Sequence, residues 1–308
     1  MATALITHAD CLNHVTPEGH PERVARLEHV LHALETLDLV RVTAPMAAED
    51  DILRCHPAGY MEDLRQARPR EGWAQIDGDT FLSPGSLDAA FRAAGAVLRG
   101  VDMVLAGEVQ NAFAAVRPPG HHAETETAMG FCLFGNAALA AKHALDHHGL
   151  SRVAVVDFDV HHGNGTQDLL WDEPRALFIT SQQMPLWPGS GRPDEDGTAG
   201  QILNMPLPPG SGGAEMKAAY DGQAFPRLRA FKPELIIISA GFDAHQDDPL
   251  AGLNWSTADF AWITRELCAL AAELCGGRIV STLEGGYDLN ALSRATRAHV
   301  EELMKAPA

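Results

Sequence analysis

The apolar run Val153-Ala154-Val155-Val156 passes without a turn into Asp157-Phe158-Asp159-Val160-His161-His162-Gly163-Asn164-Gly165-Thr166-Gln167. Four apolar residues in a row, with no polar alternation, describe a strand buried on both faces, as in a parallel sheet covered by helices. Side chains alternate across a strand with period two, so Asp157, Asp159 and His161 project to one face where the apolar run stops. Buried carboxylates are rarely left unpaired, and two of them beside an imidazole read as a place for a metal ion. Open parallel sheets collect their ligands outside the carboxyl ends of the strands, and this cluster sits at such an end.

Three further runs repeat the pattern. Ala112-Phe113-Ala114-Ala115-Val116 leads into Arg117-Pro118-Pro119-Gly120-His121-His122-Ala123, and Leu235-Ile236-Ile237-Ile238-Ser239 opens into Ala240-Gly241-Phe242-Asp243-Ala244-His245. Ile279-Val280-Ser281-Thr282-Leu283 ends in Glu284-Gly285-Gly286-Tyr287-Asp288, where two glycines let backbone approach a ligand and the tyrosine adds a phenol. Strands are also expected over 176–180 and 202–207. Helical spacing of apolar residues predicts helices over 21–37, 86–107, 136–148, 256–275 and 289–304. The first of these is expected to carry proline at its first position, and the fourth to open on a Ser-x-x-Asp start. The Pro- and Gly-rich stretches 184–200 and 208–213 read as loops. Alternating strands and helices give an α/β class, a three-layer α/β/α arrangement around a mainly parallel sheet, as one domain over 1–308.

The RPPGHHA, GFC, DFDVHHGNGTQ, SAGFDAH and LEGGYD segments, with His14 to Arg23 ahead of them, resemble the histone deacetylase and acetylpolyamine amidohydrolase superfamily, in its class II-like bacterial branch. The resemblance runs from His8 to about Asn290. It implies the arginase/deacetylase fold and a zinc-dependent hydrolysis of N-acyl groups on lysines or small amines. A catalytic zinc keeps about three protein ligands and an open position, and Asp159, His161 and Asp243 are the ones offered. So oxygen-rich a set also suits Fe2+ or Co2+. The second, bridged metal of the arginase relatives lacks its extra aspartates, since Gly163 and His245 stand in the equivalent places. His162 points to the opposite face from His161 and is expected to be structural.

The resemblance makes His122 the general base and acid, assisted by His121, oriented by Asn164 and Asp157 respectively; spacing alone cannot rank the two neighbours. Asn164 stands where many relatives carry aspartate, which should leave His122 with a lower pKa. Tyr287 would donate to the developing oxyanion. A structural K+ is implied near Asp157, Asp159 and His161, with the Thr180 hydroxyl added. Gly130 and Phe131 would form one wall of a substrate channel, Trp187 the opposite wall, Leu250 the rim, and Gly286 a further substrate-binding position. Read without the family, Phe131 and Trp187 would be core aromatics. Gln182 and Gly135 depart from the histidine and asparagine of many relatives, and both are expected near the pocket.

Composition narrows the partners. The 308 residues carry 23 lysines and arginines against 41 acidic residues, a net charge of −18, and a field of that sign repels phosphate backbones and attracts cations. Direct nucleic-acid binding is therefore excluded as an expectation, and basic peptides or polyamines are favoured. No apolar run approaches the ~20 residues of a membrane span and the first ten residues lack a signal-peptide pattern, so a cytoplasmic location without membrane attachment is expected. Five cysteines without a CxxC suit a reducing compartment, as small buried hydrophobes. Homo-oligomerisation is left open.

Overall fold

The computed structural model describes residues 2–306, so the outermost ends of the domain expected over 1–308 fall outside the described residues. In chain order the strands are β1 (Thr3–Thr7), β2 (Val40–Thr43), β3 (Ala74–Gln75), β4 (Phe81–Leu82), β5 (Asn111–Ala114), β6 (Val153–Asp157), β7 (Ala176–Gln183), β8 (Ile202–Leu207), β9 (Leu235–Ala240) and β10 (Ile279–Leu283). Eight of them form one sheet in the order β2-β1-β5-β10-β9-β6-β7-β8, with every neighbouring pair parallel. β3 and β4 make a separate antiparallel hairpin.

The helices are α1 (Val24–Ala33), α2 (Glu49–Ile52), α3 (Ala58–Ala67), α4 (Ser86–Leu105), α5 (Asn136–Asp146), α6 (Asn164–Leu170), α7 (Gly213–Ala219), α8 (Phe225–Phe231), α9 (Thr257–Cys275) and α10 (Leu289–Met304). They cover both faces of the sheet. A Cβ on Gly100 of α4 would meet Ala112 and Val280, whereas His299 of α10 bonds Ser281 and packs on Phe113. Successive strand residues point to opposite faces, so α4 and α10 lie on opposite sides, with α5 beside α4 and α1 and α9 beside α10. The expected three-layer α/β/α architecture is thus present.

The central strands are buried along their whole length, as their unbroken apolar runs require. Asp259 accepts the Ser256 N–H at 2.9 Å, which closes the expected Ser-x-x-Asp start of α9. The expected helix from Pro21 instead begins at Val24. Thr16 Oγ1 donates to the Glu22 carbonyl at 2.6 Å and the Glu22 N–H donates to His20 Nδ1 at 3.1 Å, so this segment's polar groups are spent before a helix can use them. Strands β1 to β4, helices α2, α3 and α6 and the α7–α8 pair had no counterpart among the expected elements. All five cysteines are free and buried. No helix among the described residues is long and apolar enough to cross a membrane.

Candidate active site

The four strands that end in polar clusters, β5, β10, β9 and β6, are consecutive in the sheet. Parallel pairing puts their carboxyl ends on one edge, so segments distant in sequence deliver their side chains to one place. β6 itself stops at Asp157, yet the alternation beyond it still brings Asp159 and His161 together with Asp243 from the β9 end. His161 Nδ1 lies 3.2 Å from Asp159 Oδ1 and 3.1 Å from Asp243 Oδ2, and one ligand atom from each of the three residues falls within 4.8 Å of the others.

Two carboxylates and an imidazole aimed at one point suit a divalent cation. The electrostatics agree. Burial raises the Asp243 carboxyl, and the neighbouring Asp159 charge raises it further. Burial also opposes a charged His161, but its hydrogen bonds to Asp159 and Asp243 outweigh that and push it up to about 10. The pocket therefore favours a positive charge at this point. Backbone makes room for it: a Cβ on Gly241 would stand 2.0 Å from Asp159 Oδ2, and one on Gly285 would stand 2.2 Å from Asp243 Oδ2.

The paired histidines sit beside this triad in different environments. His121 Nδ1 lies 3.0 Å from Asp157 Oδ2, while its backbone N–H and that of Gly120 donate to Glu284 Oε2. Burial disfavours its charged form, but Asp159 and Asp157 overcome this and hold it well above the ordinary histidine range. His122 Nδ1 donates to Asn164 Oδ1 at 2.7 Å, and the Asn164 amide nitrogen donates onward to Glu124 at 2.7 Å. Burial, then the neighbouring imidazoles of His121 and His161, keep His122 well below the ordinary range, so it is neutral. Asn164 pulls the other way through its hydrogen bond; the depression comes from burial and not from the amide.

Tyr287 follows the glycine turn after β10. Its N–H donates to Asp248 Oδ2 at 2.7 Å, and the Arg26 guanidinium stands 4.9 Å from its ring centroid. Arg26 Nε donates to the Gly286 carbonyl at 2.6 Å across 260 positions of sequence, and Arg26 Nη1 donates to the buried carboxylate of Glu22. Glu22 also pairs with Arg117 through both its oxygens. These contacts give Glu22 and Arg26 a physical role: they tie α1 to the turn that presents Tyr287. Burial raises the Tyr287 phenol well above its usual value, so it stays protonated.

A cavity of about 420 Å³ opens onto His122, His161 and Tyr287. Trp187 and Leu250 are 42% and 37% exposed at its rim, while His122 and Tyr287 are 4% and 8% exposed at its floor. Gly130 and Phe131 line it too, with Phe131 edge-on to Tyr287 at 5.8 Å. A Cβ on Gly130 would come within 2.6 Å of both His122 and Trp187, and Phe131 itself adopts a φ of 69°. Such a backbone is costly for a bulky residue and is held here by its surroundings, including the Phe131 N–H donated to Thr80. Phe131 and Trp187 are thus cavity walls and not core aromatics.

Some expected positions fall elsewhere. Gly286 does not line the cavity, because its carbonyl is turned to Arg26. Gln182 donates to the Gly191 carbonyl at 2.7 Å and the Gly135 N–H donates to His56 at 3.0 Å, so neither departure from the relatives reaches the pocket. Thr180 is buried and pairs in register with Asp157, while its hydroxyl donates to Gln182. His162 faces away and bonds Ser190 and Gln167, as expected. The cavity also contains His20, Phe81 and Asp79, which sequence reading missed. His20 accepts the Glu22 N–H at Nδ1 and donates from Nε2 to the Asp79 carbonyl at 2.9 Å, and it packs edge-on against Phe81 and Phe131. The hairpin that supplies Asp79 and Phe81 is too short to leave a periodic signal.

Fold and site together define a metal-capable amide hydrolase. The chain belongs to the histone deacetylase domain family, whose profile matches residues 20–303. It is 40% identical over 293 residues to a histone deacetylase-like amidohydrolase of Pseudomonas aeruginosa, covering 92% of this chain and 77% of that one. It is 37% identical over 330 residues to the human polyamine deacetylase HDAC10, covering 100% of this chain and 49% of that protein. The crystal structure of the HDA15 HD domain superposes with a TM-score of 0.93 at 33% identity, covering 99% of this chain and 88% of that one. The protein is therefore a hydrolase of amide bonds.

Proposed function

We propose that the chain removes acetyl or other acyl groups from acylated lysine side chains or small acylated amines, with one divalent ion, zinc before iron(II) or cobalt, held by Asp159, His161 and Asp243. The observation that carries the reading is the convergence of this triad, the unequal histidine pair and Tyr287 on the floor of one aromatic-walled cavity. When bound, such an ion polarises the acyl carbonyl and acidifies water. The neutral His122 is the group able to take a proton from that water, at Nε2, since its Nδ1–H is committed to Asn164. His121, already favoured as a cation by Asp159 and Asp157, is poorly placed to be the base and stabilises charge beside it. Tyr287 donates its hydroxyl to the oxygen on which charge develops. His122 then returns the proton to the leaving amine. A structural K+ beside Asp157 and Thr180 belongs to the same reading.

Phe131 and Trp187 fit a slim aliphatic chain between them, and Leu250 adds no charge at the rim. Asp79 on the cavity lining favours the acetylpolyamine alternative, because it places negative charge near a cationic amine beyond the acyl group. A binuclear ureohydrolase is disfavoured: among the described residues only one group of three such side chains lies at the cavity.

The test is a turnover screen over acetyl-lysine peptides, acetylpolyamines and longer acyl amides, with metal content measured on the same enzyme. Amide cleavage that is lost on chelation and restored by zinc or cobalt is the expected result. Two ions held at this cavity, or full activity in Asp243→Ala, would overturn it.

A further inference from the structure

A second group of potential ligands lies at the end of α5. This helix connects two parallel strands and so runs back along the sheet. Its last turn therefore lies by the amino ends of the strands, across the sheet from Asp159 and His161. There His143, His147 and His148 bring one ring nitrogen each within 4.8 Å of the others. The rings are mutually close, with centroids 4.7 Å, 5.1 Å and 4.9 Å apart. His143 and His147 are four positions apart on one helical face, a spacing that puts two imidazoles side by side. The backbone fixes the third, since the His147 and His148 N–H groups both donate to the His143 carbonyl, at 2.9 Å and 3.3 Å.

The carboxylate of Asp102, from α4, stands between two of these rings. Its Oδ1 lies 2.8 Å from His143 Nε2 and 2.7 Å from His148 Nε2, so the ring nitrogens that converge are the two Nε2 atoms, on one carboxylate oxygen. An ion there would replace the hydrogen-bonding protons and take that carboxylate as a further ligand. His143 is 5% exposed and its Nδ1 has no hydrogen-bond partner. The nearest acidic atom to that nitrogen, Asp51 Oδ1, is 4.0 Å away, beyond hydrogen-bond reach. With an ion on Nε2, that nitrogen would carry the ring proton and face the Asp51 carboxylate.

We propose that His143, His147 and His148, with Asp102 as a fourth ligand, form a second metal site that takes one divalent transition ion of the imidazole-preferring class, zinc, nickel or copper(II). The His147 ring now stacks on that of His143 with 9° between planes, so it reaches the shared ion by rotating its exposed side chain. The carbonyl end of a helix favours a cation, and Asp51 and Asp102 add negative charge. The ion would pin the end of α5 to α4 and act on stability, not on turnover.

The test titrates Ni2+ into zinc-loaded enzyme and into the double variant His147→Gln/His148→Gln, following stoichiometry by calorimetry and Tm by thermal unfolding. One Ni2+ per chain and a rise in Tm of several degrees are expected for the native chain. In the double variant affinity should fall at least ~100-fold, the upper end of what loss of an orienting partner alone costs, with deacylation unchanged. Copper(II) bound to the native chain should give an electron paramagnetic resonance spectrum with coupling to several imidazole nitrogens. No ion beyond the catalytic one, or Ni2+ binding that survives in the double variant and disappears in Asp243→Ala, would overturn the proposal.

Discussion

Tyr287 and the His121–His122 pair are where single atoms decide the chemistry. Removing the phenolic oxygen in Tyr287→Phe leaves the ring against Phe131 and Arg26, so folding and metal content should be kept while kcat falls ~10² or more. Near-normal turnover in that variant would remove the phenol from the mechanism. The two histidines differ in their surroundings: Asp159 and Asp157 favour the charged form of His121, whereas burial and the neighbouring imidazoles disfavour that of His122. His122→Ala should therefore lower kcat far more than it changes KM, with His121→Ala the milder of the two. Steady-state kinetics on one acyl-lysine substrate separates them, and the reverse ranking would exchange their roles.

At the scale of the element, the glycine turn after β10 does more than bend the chain. A Cβ at position 285 would press on both Asp243 and Asp159, so Gly285→Ala should lose its catalytic metal while keeping native far-ultraviolet circular dichroism. Metal content per folded chain is the measurement, and a variant that keeps one tightly held ion would show that the carboxylates can move aside. Elements of this kind were largely legible in the sequence, because an apolar run ending abruptly in Asp, His or Gly-Gly-Tyr marks both a buried strand and the edge where it delivers chemistry. Asp159, His161 and Asp243 were found in this way. The β3–β4 hairpin was not, since two-residue strands have no period, and with it went Asp79 and Phe81 on the cavity lining. The α7–α8 pair was lost for a related reason: a π-turn over Tyr220–Ala224 interrupts the 3.6-residue spacing. The start of α1 was misplaced because Pro21 signals a helix that local hydrogen bonds to Glu22 forbid.

For the molecule as a whole, buried neutral histidines set the response to acid. His299 lies wholly inside, between the Thr264 and Ser281 hydroxyls, and burial pushes it down to about 3. His56 is pushed down to about 4 by burial, against the weaker pull of the Thr125 carbonyl. In the unfolded chain both protonate near pH 6.5. Between that value and their folded values the unfolded state binds more protons, so their contribution to stability is complete above pH 6.5 and is lost as pH falls toward 3 to 4. Each costs about 2 kcal/mol at pH 5. Thermal unfolding across pH 4–7 should show the decline, and His299→Gln should reduce proton uptake on unfolding by about one. An unchanged slope in that variant would place the acid response elsewhere.

The contact from Arg26 to Gly286 has a consequence for how the protein is made. Because the turn that presents Tyr287 is held by a side chain 260 positions earlier, Arg26 must wait for those 260 positions to leave the ribosome before it finds its partner. A nascent chain halted before Gly286 has neither this anchor nor Tyr287. If the phenol acts as proposed, hydrolysis begins only once both partners of this one contact have been made, rather than growing as successive strands join the sheet.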